Sequence, residues 1–203
     1  MPTADTDLIE QARLRFENDT RNHQLTVLHD DGLYRHLVVK DPKGSFYWYE
    51  VITWPGTLVI NGDFGSFMFS RTNDMLEFFE ASGGTINPGY WAEKLAREMR
   101  DSATRYSPER YRARVSEWCE AVCETLDDMK ASWLREEVRL NLIGEWVDEA
   151  AFEDSARALL HNFDHAGQQI ESSDEWDLRE WDPPFLWCCW AIVSAIKQYR
   201  SAI

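Results

Sequence analysis

Four polar residues stand where loops run into strands and helices. They are Asp63 within Gly62-Asp63-Phe64-Gly65, Arg71 and Asp74 within Arg71-Thr72-Asn73-Asp74, and Asn87 ahead of Pro88. Brought together, two carboxylates, a guanidinium and an amide would make a candidate site for an enzyme or for a small ligand. The same residue types serve turns and helix caps, which is the competing reading. Arg71 carries a further expectation. It precedes a helix start, whose dipole disfavours a cation unless a carboxylate answers it. Arg71 is therefore expected to pair with Asp74 or Asp63 and to bridge the sheet to the helices.

Other constellations carry less chemistry. His161 and His165 are four residues apart on an expected helix, the spacing of a zinc pair, but position 162 is Asn and no third ligand is marked, so no metal is expected. His29 and His36 fall on facing strands of an expected hairpin and could do acid-base work, but no nucleophile motif accompanies them. Asp63-Phe64-Gly65 matches the metal-binding triplet of kinases without the glycine-rich and catalytic loops that give it meaning. No cofactor is expected. Tyr47, Trp48, Tyr49 and Trp54 could stack on bases, but no interleaved Arg or Lys neutralises a phosphate chain, so these rings are read as core.

The elements that would position these residues follow from periodicity. Residues 5 to 21 form an amphipathic helix, with Leu8, Ile9, Ala12 and Phe16 on one face. Alternating, β-branched and aromatic runs then give five strands, at 24–29, 33–40, 46–54, 57–60 and 66–70, the third of them central. Pro55-Gly56 suits a type II turn, whose twist does not match a two-residue hairpin, so a longer connection is expected there. After residue 71 the period becomes helical. Thr72 or Asn73 can cap a short helix, Asn87-Pro88 opens one through Trp91, Leu95 and Met99, and Ser107-Pro108 opens another carrying Tyr111, Val115 and Trp118. Further helices are expected at 132–143, 149–163 and 183–200, with a polar loop at 164–182. The fold class is α+β, an antiparallel sheet of about five strands packed against a helical C-terminal half. It is read as one integrated domain over 1–203, with its halves meeting at 86/87.

At 203 residues the chain can bury a full core without a disulfide or a metal. Four cysteines, Cys119, Cys123, Cys188 and Cys189, fall in apolar helical patterns and are read as reduced core thiols. The N-terminus lacks the basic and apolar regions of a secretory signal, and the most apolar stretch is too short to span a bilayer. A net charge of −15 argues against duplex nucleic acid as a partner. That charge is uneven: Trp91 to Arg114 is mildly basic, whereas 117–154 and 171–182 are strongly acidic.

The run Tyr47 to Leu58, with Asn61 to Gly65, Phe69 to Phe79, Ile86 to Trp91 and Phe185 to Cys189, resembles a family of bacteriophage and prophage proteins of uncharacterised function. The resemblance implies an accessory protein made in the bacterial cytoplasm from a phage or mobile element. It carries over no catalytic residues. With the acidic balance, the expectation is a non-enzymatic protein that binds a basic surface of a host protein and modulates it, as a nucleic-acid mimic directed at a defence system. The alternative is an enzyme or small-ligand-binding protein with its site at the 55–74 loops and the helix start at 87.

Overall fold

The computed structural model describes residues 4–144 and 147–202. Helix α1 (Ala4–Asp19) leads into strands β1 (Gln24–Asp31), β2 (Tyr34–Lys40), β3 (Tyr49–Trp54), β4 (Thr57–Gly62) and β5 (Gly65–Ser70). There follow α2 (Met75–Glu80), α3 (Pro88–Ala92), a 3₁₀ segment at Arg97–Ala103, β6 (Thr104–Tyr106), α4 (Pro108–Cys123) and α5 (Asp128–Val138). Helix α5 runs into a π-helical turn at Arg139–Ile143. A 3₁₀ turn at Asp148–Ala151 precedes α6 (Glu153–Asn162), β7 (Asp164–His165), β8 (Gln168–Gln169), β9 (Arg179–Trp181) and α7 (Pro183–Ala202). The five strands form one antiparallel sheet in chain order with β3 at its centre. This is the α+β class that the hydrophobic periods predict.

Close packing groups the chain into two units. One holds the residues up to Thr104 together with those from Trp181 onward, and the other is Arg105–Glu180, inserted between them in sequence. The division thus falls at 104/105 and 180/181, where the sequence reading draws a single domain with halves meeting at 86/87.

In the first unit, period-two alternation turns Leu37 and Val39, Tyr49 and Val51, Leu58 and Ile60, and Phe67 and Phe69 to one buried face. Helix α7 lies on that face, and α1 and α2 pack against α7. Trp187 is the aromatic centre: Phe16 and Tyr49 meet it edge-on at 5.1 and 5.6 Å, and Phe64 stacks on it at 4.3 Å. Of the four aromatics read as core, Tyr49 is buried, whereas Tyr47 and Trp54 are exposed and Trp48 is half-buried.

Two local expectations give way to neighbours. Pro55-Gly56 is a two-residue turn after all, since Trp54 pairs with Thr57. Gly56 takes the left-handed φ of +82° that a type II turn requires, and its N–H donates to the Asn73 carbonyl at 2.9 Å, an outside anchor that offsets the twist mismatch. The helix from Pro88 stops at Ala92, because the next residues run along the β5 edge. Ser70 N–H donates to Lys94 O at 2.9 Å, Ala96 N–H donates to Met68 O at 2.8 Å, and Leu95 faces Phe69. That edge would otherwise stand open.

The inserted unit has its own core, in which Tyr111, Val115 and Cys119 of α4 meet Ala131, Leu134 and Val138 of α5, Ala156 and Leu160 of α6, and Leu178. Ser107 caps α4 ahead of Pro108, as expected. Helix α5 starts earlier than residue 132, because Asp127 accepts the Lys130 N–H at 3.0 Å and caps it there. Its π turn ends at Gly144, where a Cβ would stand 2.4 Å from the Arg139 carbonyl oxygen. Helix α6 begins at Glu153 and not at 149, and the expected loop 164–182 contains the β7–β8 hairpin and β9. Because α6 ends at Asn162, His161 and His165 do not share a helical face.

Candidate functional site

Three of the four candidate residues, Asp63, Asp74 and Asn87, are used in caps and turns, and no hydrogen bond or ion pair links the four to one another among the described residues. Asp74, and neither Thr72 nor Asn73, is the N-cap of α2: its carboxylate accepts the Leu76 and Glu77 N–H groups at 2.9 and 3.4 Å. Asn87 caps α3, accepting Tyr90 N–H at 3.2 Å. Asp63 accepts Tyr47 N–H at 2.6 Å, while His23 Nε2 donates to the Tyr47 carbonyl at 3.0 Å. This clamp holds Tyr47 at φ +63°, a conformation unfavourable for a residue with a side chain.

Arg71 does not make the expected bridge. It is exposed and has no ion pair among the described residues. The arginine that joins sheet to helix is Arg35 of β2, whose guanidinium grips both Asp74 oxygens at 3.1 and 2.9 Å. Arg35 stands two and four residues before Leu37 and Val39, so the strand period turns it to the same inward face, whereas Arg71 lies beyond the end of β5. That placement in an alternating strand is the signal that could have found it. Burial acts against ionisation of Asp74, but Arg35 and the two cap N–H groups outweigh it and hold the carboxyl below its usual range. Tyr199 of α7 donates to Asp30 at 2.8 Å, and its ring lies under the Arg35 guanidinium. The cluster is a structural bolt joining β1, β2, α2 and α7.

The opposite face of the sheet carries a polar row. His36 Nε2 bonds Glu50 at 2.7 Å, and Asn61 Nδ2 donates to the other Glu50 oxygen at 2.9 Å. Asn61 most of all, with His36 also contributing and burial opposing, keeps the Glu50 carboxyl below its ordinary value. His29 faces His36 across the β1–β2 register. Among the described residues no group of three or more His, Cys, Asp or Glu is arranged to hold a metal ion.

The inserted unit presents a different chemistry. It contains nineteen acids and nine bases. Arg105, Arg110, Arg135 and Arg179 pair with Glu180, Asp177, Glu120 and Glu153 of other elements, and Arg114, Lys130, Arg139 and Arg157 pair with Glu117, Asp127, Glu136 and Glu153 one turn away. Eight of the nine bases are thus engaged internally. Glu124, Asp128, Asp154 and Asp164 are exposed and have no ion pair among the described residues. The unit's outward field is therefore negative. Beside Glu137 an open groove of about 490 Å³ runs between the α5 end and α6, floored by Leu142, Leu159 and Phe163.

All four cysteines are buried and none is in a disulfide. No helix among the described residues is long and apolar enough to cross a membrane. The chain matches no protein-family model, no curated protein and no solved structure.

Proposed function

We propose that this is a non-enzymatic accessory protein of a phage or mobile element, acting in the bacterial cytoplasm. It binds a basic surface of a host protein and occupies the place where nucleic acid would dock. The observation that carries this reading is the engagement of nearly every base of the inserted unit in internal ion pairs, which leaves unpaired carboxylates to face solvent. Such a surface speeds encounter with a basic partner and repels phosphate. Asp63, Asp74 and Asn87 serve separate turns and caps and Arg71 pairs with none of them, which gives the alternative of an enzyme or ligand site at residues 55–74 and 87 no support.

The test is affinity capture of host proteins on the immobilised full chain at low salt. It is paired with a variant carrying Asn or Gln at Glu124, Asp128, Asp154 and Asp164. A basic protein retained by the native chain, lost from the neutralised variant and eluted by moderate salt is the expected result. Retention of a partner indifferent to both salt and neutralisation would overturn the reading.

A further inference from the structure

We infer that the outer face of α5 in the inserted unit is a docking surface for a basic amphipathic helix of the partner. This rests on the acidic-binder reading and names the element that such a partner would present. Met129, Trp133 and Leu140 are 60%, 60% and 53% exposed. At 3.6 residues per turn Met129 and Trp133 fall in one stripe, on the side of α5 opposite the buried Ala131, Leu134 and Val138, and Leu140 is exposed in the π turn that continues the helix. An uncovered apolar stripe with a tryptophan at its middle has the composition of an interface anchor.

The stripe adjoins the groove. Glu137 is four residues from both Trp133 and Asn141, and Asn141 Nδ2 donates to its carboxylate at 2.8 Å. The groove floor is apolar, and Glu137 and Asp164 stand at its rim. Asp164 is held by Gly167 N–H and the Gln169 amide, neither of which is a cation. His165 Nδ1 lies 4.0 Å from the Glu137 carboxylate.

Charge selects the occupant. A second copy of the chain would bring another −15 and the same unpaired acids, and a nucleic acid or an anionic lipid surface would bring phosphates; both are repelled. A helix with apolar residues along one side and Lys or Arg beside them satisfies both features. Its apolar row covers Trp133 and Leu140 and enters the groove, while its cations reach Asp128, Glu137 and Asp164.

The probe is a fluorescently labelled Leu/Lys peptide about five turns long, apolar at i, i+3, i+4 and i+7. The comparison is a scrambled peptide of the same composition with no apolar face. Both are titrated by anisotropy against the full chain, its Trp133→Ala and Leu140→Ala variants, and Phe46→Ala, which removes an exposed ring from the other unit. The patterned peptide should bind the native chain more tightly than the scrambled one. It should lose about tenfold with Trp133→Ala, several-fold with Leu140→Ala, and nothing with Phe46→Ala, with circular dichroism unchanged throughout. If both peptides bind alike, or if Trp133→Ala and Leu140→Ala bind as the native chain does, the docking surface is refuted while the acidic reading stands. If neither peptide binds at low salt, the acidic reading itself fails.

Discussion

Replacing Arg35 with alanine removes the cation that faces Asp74 in a site where the two side chains are 9% and 13% exposed. Breaking a buried ion pair by removing one partner costs about 3–5 kcal/mol, because the remaining charge is left without a counterion. Asp74 keeps the Leu76 and Glu77 N–H groups after the change, and these continue to solvate part of its charge. The lower end of the range therefore applies, about 3 kcal/mol, or a fall in melting temperature of roughly 6–12 °C for a chain of this size. Urea unfolding at pH 7 measures it, with Arg71→Ala alongside as an exposed arginine expected to stay within about 0.5 kcal/mol of the native chain. Acidity supplies a second check. The Asp74 pKa is lowered in the folded state, so the stability it contributes is fully present above the unfolded carboxylate value of about 3.9 and is lost as pH falls through the folded one. The deficit of Arg35→Ala should accordingly shrink as the same comparison is carried progressively below the unfolded carboxylate value. A loss under about 1 kcal/mol at pH 7, an equal loss in Arg71→Ala, or a deficit that persists in acid would refute the account of Arg35 as the bridge.

Glycines at two close approaches should not tolerate a methyl group. A Cβ at Gly62 would stand 2.3 Å from the Trp48 carbonyl oxygen, and one at Gly144 stands as close to Arg139 as noted above, so Gly62→Ala and Gly144→Ala should each lower the urea midpoint by an amount equivalent to about 1–3 kcal/mol or more. Asn87→Ala removes the α3 cap and should cost about 0.5–2 kcal/mol in the same assay. The four cysteines should resist a thiol reagent in the native chain and all react on denaturation, since burial pushes the Cys119 thiol up to about 12 and raises Cys188 and Cys189 as well. Rapid native-state labelling of any one of them would contradict that burial.

The parts of this protein that were legible in the chain itself are those governed by local rules. Alternation from Leu37 to Phe69 has a period of two and marks the buried sheet face, and Asn87-Pro88 and Ser107-Pro108 carry their caps within three residues, so the five strands of the sheet and two helix starts could be read directly. Three features were not of that kind. Asp74 had two arginines to choose between, and Arg35, 39 residues away in sequence, won over Arg71 because strand register, and not sequence proximity, brought it inward. The helical pattern through Leu95 gave way to the unpaired edge of β5, whose backbone groups needed partners that propensity alone does not count. Met129 lies ahead of the helix expected at 132–143, and only the packing of α5 and the π turn after it shows that Leu134 and Val138 are buried while Met129, Trp133 and Leu140 face out. A period says that a residue faces one side of its element; which side meets the core, and which distant partner waits there, depends on contacts that exist only once the chain has folded.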